Sequence, residues 1–132
     1  MWNPLRRRLS AGRITTAETG TAGEDAAAAL LENAGFRILE RNYRCRLGEV
    51  DIIAMDGDCL CFVEVKTRRS ERCGTPAEAV TFRKRAQIMK ASQHYLAFRG
   101  NHTGDCRFDV VSVAASTDGA YSATLTRDAF RE

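Results

Sequence analysis

The stretch Leu47–Thr67, LGEVDIIAMDGDCLCFVEVKT, decides the fold. Its centre, Asp56-Gly57-Asp58, carries the Asp-Gly signal of a tight hairpin turn. The flanks are apolar and often β-branched: Val50, Ile52 and Ile53 before the turn, Leu60, Phe62, Val63 and Val65 after it. Such runs predict two strands buried on both faces. Asp51, Glu64 and Lys66 stand among these apolar neighbours. A buried charge without a partner is costly, so the three need a reason to be there. Register supplies one. If the two-residue loop is Asp56-Gly57, Asp51 lies opposite Phe62 and Glu64 is its diagonal neighbour. If the loop is Gly57-Asp58, Asp51 lies directly opposite Glu64. In both registers period-two alternation sends Asp51, Glu64 and Lys66 to one face. A three-residue loop would break this unless a bulge restored the phase.

The hairpin is therefore expected to gather two carboxylates and one ammonium. Paired carboxylates on a rigid edge suit a hard cation such as Mg²⁺ or Mn²⁺. An adjacent lysine positions a water or helps to deprotonate it. The structural alternative is that Glu64 and Lys66 neutralise each other while Asp51 pairs with an arginine elsewhere.

At 132 residues the chain is long enough for one domain with a real core, and 44% hydrophobic residues fit a globular protein. The net charge of +3, carried mostly by arginine, permits an anionic partner. The five cysteines lack C-x-x-C spacing, so they read as reduced thiols of a cytoplasmic protein rather than as a zinc site. The longest apolar run, Ala26 to Leu31, is too short to span a membrane. No apolar stretch follows Arg6-Arg7-Arg8, which argues against a signal peptide.

Outward from the hairpin, residues 1–20 read as a flexible basic arm and residues 21–132 as a single domain. Thr19 or Thr21 is expected to cap a first helix over Ala22–Ala34, and Gly35 to end it. Glu24, Ala28 and Leu31 share a face of that helix. Glu24 either serves the helix dipole or reaches the Asp51/Glu64 patch. Phe36–Arg44 reads as a strand. After Lys66, Thr67–Gly74 is a basic loop in which Arg68, Arg69 and Arg72 would suit a phosphate backbone or be solvated surface charge. Thr75-Pro76-Ala77-Glu78 predicts a capped helix running to Phe98, with Val80, Ile88, Ala91, Tyr95 and Phe98 as its apolar stripe. Lys84 and Gln87 interrupt the stripe, so they snorkel or face the site. Arg83, Lys84 and Arg85 form a second basic cluster. Arg107–Val113 and Tyr121–Thr126 read as strands, and Arg127–Phe130 as a terminal helical turn. The sum is an α/β fold with a mixed central sheet of about five strands flanked by helices.

Asp51, then twelve residues, then Glu64-Val65-Lys66 resembles the core of the PD-(D/E)-x-K nuclease superfamily. Together with TTAETGTAGEDAAAALL, GEVDIIA, FVEVKTR and CRFDVVSV, the chain from Thr15 onward resembles the YraN-like family of small bacterial proteins. The resemblance implies a restriction-endonuclease-like fold similar to archaeal Holliday-junction resolvases. It places a helix acid at Glu24, an acid on the second strand at Asp51, and E-x-K at Glu64 and Lys66. Val50 stands where the superfamily's name has proline. The expected activity is a divalent-metal-dependent endonuclease of structured DNA, working as a symmetric dimer. Asp51, Glu64 and the Val65 carbonyl would hold Mg²⁺, Lys66 would orient the water, and Glu24 would complete the outer coordination or position a second metal. The alternative is a nuclease-like fold that binds nucleic acid or a protein without cutting.

Overall fold

The computed structural model describes residues 6–8, 16–68, 80–99, 101–115 and 118–131, with side chains from residue 22 onward. Helix α1 (Thr16–Asn33) follows a short strand, β1 (Arg6–Arg8). Its second half is built from alanine and leucine, the strongest helix formers. It ends as expected at Gly35 (φ 96°), where the Phe36 N–H donates to the Leu31 carbonyl at 2.9 Å. Its start differs from expectation. The helix already runs from Thr16, so Thr19 and Thr21 lie inside it rather than capping it. β1 and the first turn of α1 thus fall within the segment read as an arm.

Five long strands follow, with one more helix between the third and fourth of them: β2 (Arg37–Cys45), β3 (Gly48–Asp56), β4 (Cys59–Arg68), α2 (Phe82–Phe98), β5 (Cys106–Ala115) and β6 (Ala120–Phe130). The sheet order is β1-β6-β5-β4-β3-β2. β4 and β5 are parallel and every other pairing is antiparallel. A parallel neighbour needs a crossover, and α2 provides it. This is the expected mixed sheet flanked by helices, with β1 as a short extra edge strand. No described helix is long and apolar enough to cross a membrane.

Three expectations need correction. The Thr75–Glu78 capping box lies outside the described residues, but α2 begins only at Phe82. Thr81 is its cap, accepting the Lys84 N–H at 3.2 Å. Val80, Ile88, Ala91 and Tyr95 are buried, whereas Phe98, placed in the same stripe, is 73% exposed. Arg127–Phe130 is not a helical turn but the end of β6. There the Asp128 N–H donates to buried Asp109, and Phe130 stacks on Phe108.

Each face of the sheet has its own core. Ile52, Ala54, Cys61, Val63, Val111 and Val113 pack with α1 on one side. Val50, Ile53, Phe62 and Val110 pack with α2 on the other. Val50 and Ile52 therefore point to opposite faces although they are two residues apart. The partner strand reverses at the same level: Tyr43 packs towards α2, while Arg41 reaches Asp25 of α1 at 2.9 Å. Backbone pairing joins Arg41 to Ile52 and Tyr43 to Val50 and skips the pair between them, Asn42 and Asp51. Asn42 has φ 56°, a left-handed conformation that asparagine tolerates and β-branched residues do not. The pleat changes phase there, at the level of Asp51.

Candidate functional site

Asp56 pairs with Cys59, so the hairpin loop is Gly57-Asp58, the second of the two expected registers. Counting on from it brings Asp51 level with Glu64. The backbone ladder, however, stops at Ile52–Val63. Beyond that point the Asp51 carboxylate takes the ladder's place, with Oδ2 accepting the Val65 N–H at 2.8 Å. In an extended strand the N–H and C=O of one residue point to the same side. The Val65 carbonyl therefore opens onto the same gap.

Glu64 is 7% exposed, and its Oε2 has no hydrogen-bond partner. The neighbouring Asp51 is an acceptor too, so two ionised carboxylates have nothing to share. A proton held between them would supply the missing bond. Burial, then the nearby Asp51 charge, pushes the Glu64 carboxyl up to about 8. Burial also raises Asp51, against the lowering effect of the Val65 N–H and of Lys84. Glu24, from α1, is raised by burial and by Asp51, and it hydrogen-bonds the Asn42 side chain. The phase change at Asn42 thus also orients the third acid.

Close approach of α1 to β4 puts Glu24 there. A Cβ on buried Gly23 would stand 2.6 Å from Thr67 Oγ1, on a short β-branched side chain that is stiff at χ1. Gly23→Ala is expected to push α1 off β4 and cost about 1–3 kcal/mol, read by urea unfolding. A loss within about 0.5 kcal/mol would show that Thr67 yields without cost.

The lysine nearest the carboxylates is Lys84. Its Nζ lies 3.9 Å from Glu64 Oε1 and 3.7 Å from Glu49 Oε1. Of the two options read for it, Lys84 faces the site. Lys66 follows Glu64 at the strand's period of two, but it is exposed and no ion pair joins it to Glu64. The structural alternative, in which Glu64 and Lys66 neutralise each other, is not what the structure has: the cation beside Glu64 is Lys84. Arg83 is exposed on the first turn of α2. Arg85 is engaged in the fold, bonding the Val80 carbonyl and lying over Phe130. Arg68 is half-buried at the end of β4, and Arg69 and Arg72 lie outside the described residues. Glu49, Asn42 and the position of Lys84 were not assigned from sequence. Glu49 had a signal in its two-residue spacing from Asp51, and Asn42 in being an asparagine within a strand.

An open hollow of about 360 Å³ adjoins the carboxylates, lined by Arg44, Arg46, Glu49, Lys84 and Gln87 among others. A larger groove of about 550 Å³ lies at the other end of the sheet, lined by Phe62, Met89, Leu96, Phe108 and Phe130. It is mainly apolar, and Asp128 and Arg131 on its rim pair with each other. The unpartnered carboxylate oxygen, Glu64 Oε2, is at the Asp51/Glu64 end.

The acids, the lysine and the elements that carry them fall almost wholly within residues 23–113, the span matched by the profile of the uncharacterised protein family UPF0102. A UPF0102 protein of Chlorobium chlorochromatii is 54% identical over 99 residues, covering 75% of this chain and 76% of the relative. One from Symbiobacterium thermophilum is 50% identical over 111 residues, covering 84% and 94%. A third, from Syntrophus aciditrophicus, is 52% identical over 112 residues, covering 85% and 87%. The YraN-like resemblance read from the hairpin outward is borne out: the chain belongs to the UPF0102 family.

Proposed function

We propose that the protein is a divalent-cation-dependent endonuclease of structured DNA, related to the restriction-endonuclease-like PD-(D/E)-x-K proteins. One observation carries the reading. A buried carboxylate with an unpartnered oxygen faces a second carboxylate where two strands part. Such an arrangement destabilises the free protein and makes sense if a cation completes it. Among the described residues no three His, Cys, Asp or Glu side chains group closely enough to hold a metal alone. A Mg²⁺ or Mn²⁺ site would therefore rest on the two carboxylates, with waters and a substrate phosphate completing the coordination. Asp51, Glu64 and the Val65 carbonyl would be the protein ligands. A cation there would supply a water of lowered pKa and stabilise charge on the scissile phosphate. Lys66 would orient the attacking water from the exposed side. Glu24 would hold outer waters, kept in place by Asn42. Arg83, with Arg68, Arg69 and Arg72, would meet the DNA backbone. A symmetric dimer would present one such site to each strand of a branched substrate.

The test is a panel of branched, flapped, single-stranded and linear DNAs, plus RNA, in Mg²⁺ and Mn²⁺, with Asp51→Asn as control. Cleavage of the structured DNAs that Asp51→Asn abolishes is expected. Binding without cleavage in either metal would overturn the enzyme in favour of a binding module. Affinity for DNA should fall steeply with salt, and Arg83→Ala should reduce the log–log slope by about one. An unaltered slope would make Arg83 ordinary surface charge.

A further inference from the structure

Lys84 sits between two environments. On one side its ammonium bridges Glu49 and Glu64, at 3.7 and 3.9 Å, committed closely to neither. On the other it lines the open hollow, whose wall carries Arg44 and Arg46 beside Glu49 itself. Glu49 has a second cation of its own, Arg44 Nε at 3.3 Å, so Lys84 is not needed to neutralise it. Glu64 has none besides Lys84 among the described residues, and its other oxygen is unpartnered. The Lys84 side chain is 30% exposed, on a flexible stem in the first turn of α2. A close approach fixes that turn's neighbourhood: a Cβ on Gly48 would stand 2.7 Å from the Gln87 carbonyl, so β3 meets α2 backbone to backbone. The helix is held, and the lysine at its start is the part able to swing.

We propose that Lys84 is a hand-over lysine: in the metal-free protein its ammonium occupies the cation position beside Glu64 and Glu49, and when a metal takes that position it turns towards the hollow to grip a substrate phosphate. The inference rests on the metal site proposed above. A dication held by Asp51 and Glu64 would repel an ammonium 3.9 Å from the same carboxylate. It would also supply the positive charge that Lys84 had placed beside the carboxylates. The displaced ammonium then stands with Arg44 and Arg46 on the wall of the hollow, three cations against the single carboxylate of Glu49, a balance that favours a phosphate. Lys84 and metal therefore compete, while metal and DNA cooperate through Lys84. By linkage each raises the other's affinity by the same factor.

The test uses the full chain, Lys84→Met, Lys84→Arg and Glu64→Gln. Mn²⁺ binding is measured by calorimetry without DNA. Binding of a labelled four-way DNA junction is measured by anisotropy in Ca²⁺ and in EDTA. Lys84→Met is expected to bind Mn²⁺ about tenfold more tightly than the wild type, because a competitor is gone, while Lys84→Arg keeps the charge and shows no tightening. The factor by which Ca²⁺ strengthens junction binding should fall at least about threefold in Lys84→Met. Unchanged or weaker Mn²⁺ binding in Lys84→Met, with wild-type binding that Glu64→Gln abolishes, overturns the hand-over and leaves the metal site standing. An undiminished Ca²⁺ effect on its junction binding does the same. No Mn²⁺ binding by wild type or Lys84→Met overturns both. If Lys84→Met melts too early to titrate, Lys84→Gln takes its place with the same expectations.

Discussion

Glu64→Gln is expected to abolish divalent-cation binding and cleavage while making the metal-free protein more stable at alkaline pH. The sign follows from its carboxyl, raised from the ordinary 4.5 to about 8 by burial and by Asp51. Between those values the folded protein holds a proton that the unfolded chain has released. Stability from this group is therefore fully present below about 4.5 and lost as pH rises through about 8. Glutamine keeps the shape and never ionises. In chelator the mutant should gain little at about pH 5 and on the order of 3 kcal/mol at about pH 9. Thermal melts of both proteins in EDTA across that range measure it. A mutant less stable than wild type at alkaline pH would mean that Glu64 is ionised and satisfied by a partner in the fold, which would remove the support for a metal there.

Asp109→Ala is expected to act in the opposite direction. Asp109 is buried, as Glu64 is, but it is satisfied. Arg107 grips it with two bonds of 2.8 Å, and the Asp128 N–H adds a third at 2.8 Å. Arg107 also holds Asp56 at 2.8 Å. Deleting the Asp109 carboxylate strands the guanidinium and a backbone amide at the junction of β5 and β6. The expected cost is about 3–5 kcal/mol in urea unfolding, with no pH-dependent gain. Asp109→Asn should lose less, because its oxygen can still accept the Asp128 amide. A loss below about 1 kcal/mol for Asp109→Ala would reduce the network to a surface ion pair. The two buried acids thus make a paired control: one held by the fold, the other opposed by it.

The hairpin, its turn and the meeting of Asp51 with Glu64 were legible from residues 47–67, because the apolar runs and the Asp-Gly turn admit few registers. The reason for the meeting was not. A period-two argument assumes one continuous pleat, and the left-handed Asn42 breaks that pleat at the level of Asp51. Asp51 meets Glu64 across a gap in the ladder, not along an unbroken face. Lys84 could be narrowed to two roles but not placed, since a helix periodicity carries no information about which strand end the helix covers. The start of α2 was misread because a strong local cap at Thr75 competes with another at Thr81. Where the chain meets the sheet decides between them, through burial of Val80. At the C-terminus local helix propensity lost to two long-range partners of β6, Asp109 and Phe108.

The bond from the Val65 N–H to Asp51 gives the protein a built-in spectroscopic probe. Most amides of an interior strand such as β4 see only neutral carbonyls. This one points at a carboxylate whose charge changes with protonation and would change again with a bound cation. Its proton chemical shift should move when Asp51 ionises or binds a cation, while its neighbours in the ladder stay still. A single backbone resonance, with no label near the site, would then follow occupancy in solution.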